Sequence, residues 1–291
     1  MLSLIDPQDP GDPIRRQFFP RAQELEAHPE ELADPLGEEG VRKAPGLLHR
    51  YPDRALLLVT ERCAAYCRHC FRRRFTGRGR RPAPGPGALE RAAGYLKEHR
   101  EVRELILSGG DPLMLADRKL AALLALFRRH RPELAFRIHT RLPVVLPERV
   151  TPELIALLSG CRPLRVVLQV NHPRELADDF LQAVRRFIQA GIPVLDQSVL
   201  LKGVNDDPPV LAELFRALAD AGIRPYYLFH PDLAAGTAHL RPSLEEGLRL
   251  FAQLRLLCPA ELLPRYVRDQ PGGGGKVELS PASPSGPGVT A

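Results

Sequence analysis

Six short apolar runs punctuate the chain: Ala55–Thr60, Glu104–Ser108, Ala135–Thr140, Leu164–Val170, Ile192–Val199 and Arg224–Phe229. Most stand about 30 residues apart, and each except the last leads into a stretch of helical periodicity, as at Arg118–His130, Asp179–Ala190 and Pro209–Ala221. Parallel strands need a long crossover between them, and a helix fills that crossover well. The rhythm therefore predicts a parallel sheet built from βαβ units. A polar or glycine-rich cluster follows nearly every run: Cys63 to Cys70, Ser108–Asp111, Arg141, Asn171–His172, Gln197 and Asp232. In a barrel the C-terminal strand ends open onto one mouth, so these clusters would converge there. The expected fold is an α/β partial (β/α)6 TIM-type barrel.

Composition bounds the rest. The chain has 291 residues, 44% hydrophobic and 26% charged, which excludes a wholly disordered chain, a collagen and a coiled coil. No apolar run approaches the ~20 residues of a membrane span. The start, MLSLIDPQDPGDP, is acidic and proline-broken, unlike a secretory signal, so a cytoplasmic protein without a membrane partner is expected. The net charge is +6, with no Trp, six Tyr and no basic patch interleaved with aromatics, so nucleic acid is not an expected partner. Residues 1–48 are polar and proline-rich, with weak helical character at Arg21–Leu32. The expected organisation is an N-terminal helical extension at 1–50 packing on the barrel, the barrel at 51–279, and a disordered tail at 280–291, where periodicity is lost.

Three of the five cysteines crowd into eight residues, Cys63-Ala-Ala-Tyr-Cys67-Arg-His-Cys70, directly after the first apolar run. Neighbours so close cannot staple a chain of this size, and in a reducing compartment they read as metal ligands. Zinc sites pair such motifs with a distant second pair, which this chain lacks. Iron–sulfur clusters take four cysteines as a rule, so three leave one iron free for another ligand. Cys161 and Cys258 stand alone and read as small buried hydrophobes.

CxxxCxxC after the first strand, with SGGD after the second, resembles the radical S-adenosylmethionine (SAM) superfamily. Longer stretches resemble lysine 2,3-aminomutase within it: PGLLHRYPDRALLLVTERCAAYCRHCFRRRFTG, LSGGDPL, RLPVVLPERVTPEL, DQSVLLKGVND, RPYYLF and PGGGGK. The likeness runs from about Ser3 to Leu279. It implies a 4Fe–4S cluster on Cys63, Cys67 and Cys70 whose open iron chelates SAM. Ser108, Gly109, Gly110 and Asp111 match the segment lining the SAM methionyl group, where glycine lets backbone approach a ligand closely. Gln169 and Gln197 match positions that face SAM.

Lys276 matches the lysine that forms a Schiff base with pyridoxal 5′-phosphate (PLP), chemistry that needs an amine. The four glycines before it supply a loop able to lie against a phosphate. Arg50, Tyr51 and Arg54 match the segment that grips the PLP phosphate, and Arg141, ending the third strand, is a further phosphate candidate. Arg72 matches the arginine that pairs with the substrate α-carboxylate. Asp232 and Asp269 match the aspartates that hold the ε-ammonium of lysine, whereas the related glutamate enzyme carries Lys and Asn there. The resemblance thus implies conversion of L-lysine to β-lysine by 2,3-amino migration, an electron donor such as flavodoxin or ferredoxin, and a homo-oligomer.

The match departs at three places. Phe71 replaces a small polar residue, as in the enzyme that makes β-lysine for elongation factor P. Phe229 replaces a tyrosine that contacts PLP, and His230-Pro231 precedes Asp232 where another pair is usual. The chain also stops 15 residues after Lys276, without the long segment that carries zinc cysteines, so zinc is not expected. Three alternatives stand beside the leading reading: service to elongation factor P, a different amino acid substrate, and a non-catalytic iron–sulfur protein.

Overall fold

The computed structural model describes residues 2–77 and 84–280; the expected disordered tail falls, from residue 281 on, outside the described residues. The first helix, α1 (Pro13–Phe18), starts where Asp12 caps it: one carboxylate oxygen accepts from Ile14 N at 2.9 Å and Arg15 N at 2.8 Å. The segment expected to be weakly helical, Arg21–Leu32, forms only a 3-10 turn at Ala22–Leu25. Its Glu24 instead reaches Arg68 and Arg73 in the cysteine loop. Burial opposes the charge on Glu24, but those guanidiniums hold its carboxyl down at about 2.

One ten-stranded sheet then runs in strict sequence order. A hairpin of β1 (Arg42–Ala44) and β2 (Leu47–Tyr51) pairs antiparallel onto β3 (Arg54–Thr60). The sheet thus begins inside the segment expected to be an extension, whose only α-helix among the described residues is α1.

From β3 the strands are parallel, each reached over a helical crossover. The helix α2 (Pro86–Glu98) leads to β4 (Glu104–Gly109), and α3 (Asp117–His130) leads to β5 (Ala135–Thr140). A short α4 (Leu142–Val145) and α5 (Pro152–Ser159) lead to β6 (Leu164–Leu168). Next, α6 (Asp178–Gln189) leads to β7 (Val194–Val199), and α7 (Pro208–Asp220) to β8 (Arg224–Phe229). The six expected strands are all present.

A seventh parallel strand, β9 (Arg265–Asp269), follows α8 (Leu244–Leu257), and β10 (Lys276–Glu278) folds back antiparallel on β9. No pairing among the described residues joins β10 to β1, so the barrel is open.

Helix α6 shows why the layers pack. Phe180, Ala183, Val184 and Phe187 recur at helical spacing, and all four are buried. They join one continuous core with Leu57, Leu105, Leu107, Phe136, Ile138, Val166, Leu168 and Leu228 from the strands. Cys258 is buried in that core and Cys161 packs against it, as expected of isolated cysteines. Every residue of β4 is buried, as in a strand covered on both faces. Its Glu104 is neutralised inside by Arg137 of β5 and Arg165 of β6.

Candidate active site

The parallel strands end on one side of the sheet, and the chain leaves each end carrying chemistry. A cavity of about 290 Å³ opens there. All the candidates line it: the three cysteines, Ser108 to Asp111, Arg50, Tyr51, Arg54, Arg72, Arg141, Gln169, Gln197, Asp232, Asp269 and Lys276.

The cysteine loop forms one wall. Burial pushes the Cys63 thiol well up, and the neighbouring sulfurs of Cys70 and Cys67 and the carboxylate of Asp111 add to that rise. The Cys70 thiol is pushed up to about 11 by burial and then by Cys67. The three sulfurs therefore feel one another in a dry pocket, where a positive iron centre would hold them deprotonated. Among the described residues no three Cys, His, Asp or Glu side chains converge on a single ion. Thiolates at the corners of a multi-iron cluster need not converge that way, so the donor set fits the cluster.

Arg141, a phosphate candidate in the sequence, lies against this loop. Its Nη1 donates to Cys67 Sγ at 3.0 Å, and its Nη2 donates to Gln17 Oε1 at 2.5 Å and Glu175 Oε2 at 2.9 Å. Gln17, from α1, also accepts from Asn171 Nδ2 at 2.9 Å and donates to Glu175 Oε1 at 2.8 Å. The guanidinium is buried in that network.

The SGGD turn is packed tightly against the backbone behind it. A Cβ on Gly109 would lie 2.5 Å from Thr60 O, and one on Gly110 would lie 2.3 Å from Arg62 O. Glycine is required because β4 presses on the backbone leading into the cysteine loop. Gly110 N donates to Thr60 O at 2.6 Å, and Asp111 N to Arg62 O at 2.8 Å. The carboxylate of Asp111 is buried and accepts from Thr140 Oγ1 at 2.7 Å, Arg141 N at 2.8 Å and Leu113 N at 3.0 Å. It braces its own loop against the one that follows β5.

Two histidines that sequence reasoning missed stand beside the glutamines. Gln169 Nε2 lies 3.2 Å from His69 Nε2, and Gln197 Nε2 lies 3.4 Å from His139 Nδ1. Burial holds both imidazoles neutral, far below their usual range. His69 Nδ1 and His139 Nε2 are buried without a hydrogen-bond partner. Such orphans are costly unless a ligand satisfies them, so this wall fits a polar small molecule such as SAM. The available signals were the place of His69 between two cysteines and that of His139 near the end of a barrel strand.

The opposite wall carries Lys276. The β9–β10 hairpin registers it directly across from Asp269. Its Nζ donates to the Asp269 oxygens at 3.2 and 3.1 Å and stands 5.1 Å from the centre of the Phe229 ring. Lys276 N donates to Tyr51 Oη at 2.9 Å, which ties the HRYPDR segment to the glycine loop. The Arg54 guanidinium covers the Tyr51 ring at 4.1 Å and pairs with Asp53, while Arg50 donates to Leu36 O. Arg50 Nε is buried without a partner. An orphaned guanidinium donor beside an amine and a phenol fits a phosphorylated aldehyde such as PLP.

Asp232 faces the same end of the cavity, with no hydrogen-bond partner for its carboxylate among the described residues. Burial, and then the charge of Asp269, push its carboxyl up to about 7, against the pull of Lys276 and Arg72. Arg72, buried, meets Glu38 and Ser108. The site thus has a soft-ligand loop, an amine with a guanidinium-lined neighbour, and two carboxylates sharing one cavity with an arginine.

Comparison with known proteins agrees with that architecture. Residues 57–215 match the model of the radical SAM superfamily. The L-lysine 2,3-aminomutase of Clostridium subterminale is 42% identical over 280 residues, covering 96% of this chain and 67% of that protein. The glutamate 2,3-aminomutase of Clostridioides difficile is 36% identical over 280 residues, covering 96% and 66%. Among solved structures, Streptococcus suis SuiB superposes with a TM-score of 0.57 at 16% identity, over 76% of this chain and 50% of that one. Fold and cysteine loop together define a radical SAM enzyme. Within that superfamily the chain belongs to the lysine 2,3-aminomutase family of isomerases. The family implies SAM and a 4Fe–4S cluster. No helix among the described residues is long and apolar enough to cross a membrane.

Proposed function

We propose that this chain moves the α-amino group of L-lysine to the β-carbon, forming β-lysine, with PLP attached at Lys276. The observation that carries the substrate is the pair Asp232 and Asp269 at one end of the cavity that Arg72 also lines. An amino acid with a cationic side chain satisfies both ends, since a buried charge is costly unless paired. A glutamate side chain would bring a third carboxylate beside two others, so lysine is favoured over glutamate.

The roles of the residues follow. Arg72 receives the α-carboxylate and the two aspartates receive the ε-ammonium. Bidentate pairing at one end and double pairing at the other fix the chain between them. Cys63, Cys67 and Cys70 hold the cluster, and Gln169, Gln197 and the orphaned nitrogens of His69 and His139 face SAM. Arg50, Tyr51 and Arg54 hold the phosphate of PLP. Bound there, the cofactors supply hydrogen-atom abstraction and a conjugated ring that spreads unpaired spin. The protein's share is to orient the groups and exclude water. A one-electron donor of flavodoxin or ferredoxin type completes the cycle.

Peptide mapping of PLP-loaded protein after borohydride reduction tests the attachment. We expect a pyridoxyl group on Lys276, and none in Lys276→Ala with iron content unchanged. Labelling elsewhere would overturn it.

A further inference from the structure

The segment before the first hairpin is drawn into the site from outside the barrel. Gly37 has φ +60°, and a Cβ there would lie 2.7 Å from Gly272 O, so only glycine lets the segment rest against the loop that leads to Lys276. Gly272 N donates to Pro35 O at 3.1 Å, and Arg50 donates to Leu36 O. The next residue, Glu38, is 5% exposed and lines the cavity. Its Oε1 accepts from Arg72 Nε at 2.9 Å and lies 2.8 Å from Arg72 Nη2, while Ser108 Oγ accepts from Arg72 Nη1 at 2.8 Å. The guanidinium also lies 4.6 Å from the Phe71 ring centre.

A guanidinium has five N–H donors. Nε is bonded to Glu38 and Nη1 to Ser108, while Nη2 rests against Glu38 Oε1, so each terminal nitrogen keeps at least one free donor. Two parallel donors on adjacent nitrogens match the two oxygens of a carboxylate. Arg72 also lies within electrostatic reach of Asp232 and helps hold its charge. Freed of its clamp, Arg72 would be drawn toward that carboxylate and away from its own ligand.

We propose that Glu38 is the positioning residue for substrate carboxylate recognition: it grips the side of Arg72 so that the remaining two donors face the cavity. The inference rests on Arg72 as the α-carboxylate receptor, and it assigns a role in the site to the segment ahead of the barrel. A carboxylate that only neutralised Arg72 could be replaced by one of different length. A clamp could not, because the Nε and Nη2 contacts need its reach.

Calorimetric binding of L-lysine and of L-lysine amide, which lacks the carboxylate, to PLP-loaded protein separates these readings. Wild type is expected to favour lysine by about a hundredfold, the scale of a charge-assisted bidentate pair. Glu38→Ala should lose at least about tenfold of that preference with amide binding unchanged. Glu38→Asp, one methylene shorter with its charge kept, should lose a similar share, so the test survives if the alanine variant fails to fold. Glu38→Gln, which keeps the accepting oxygen, should stay within about threefold of wild type. Wild-type preference in Glu38→Asp or Glu38→Ala would overturn the inference while leaving Arg72 in place. Equal binding of lysine and its amide by wild type would overturn the assignment of Arg72, and this inference with it.

Discussion

Lys276 and Asp269 face each other across the β9–β10 hairpin, with the lysine Nζ 3.2 and 3.1 Å from the two carboxylate oxygens. The ammonium that is to hold PLP thus stands where the ε-ammonium of lysine is proposed to sit. Joining that amine to PLP releases Asp269 for the substrate. Asp269→Ala should therefore raise the lysine KM by about a hundredfold, the cost of an unpaired buried charge. PLP attachment should persist, as followed by absorbance. An unchanged KM would remove Asp269 from the substrate site.

Asp232 sets a pH dependence. Its carboxyl, raised to about 7 by burial and Asp269, carries a proton below that pH and a charge above it. An ammonium binds the charged form. Lysine affinity should rise as pH increases through about 7, with the apparent KM at pH 6 about tenfold above that at pH 8. Asp232→Asn should weaken binding and flatten this step. A wild-type KM independent of pH across that range would count against the role.

Two arginines expected to serve the same phosphate lie on different walls. Arg50 sits beside Tyr51 with a buried unpartnered Nε, and Arg141 is held by Cys67, Glu175 and Gln17. Arg50→Gln should weaken PLP binding about tenfold or more, and Tyr51→Phe by less. Arg141→Lys should leave PLP affinity within about twofold and reduce iron retention instead. Equal losses of PLP in Arg50→Gln and Arg141→Lys would restore Arg141 to the phosphate site.

Six parallel strands, β3 to β8, were legible because each is an apolar run at βαβ spacing. What escaped was set by tertiary context. β9 and β10 carry charged residues, as in Arg265-Tyr-Val-Arg-Asp269, and pair only because β8 already offers an edge. The glycines of SGGD were legible as a motif, but their cause lies across the sheet at Thr60 and Arg62, which share no sequence neighbourhood with them. The site residues were legible through resemblance and gathered by the barrel mouth. Glu38 and His139 escaped because an acid in a polar segment, or a histidine on a strand, has no local pattern until its partners fold around it, while His69 had only its place between two cysteines to mark it.

One cavity, framed by the cysteine loop and Lys276, is proposed to perform amino migration on lysine. Anaerobically reconstituted protein, supplied with iron and sulfide, SAM, PLP and dithionite, should convert L-lysine to β-lysine, separated chromatographically. L-glutamate should remain unchanged in the same assay. A β-amino product from glutamate but not from lysine, or no turnover of lysine with cluster and PLP both loaded, would contradict the account.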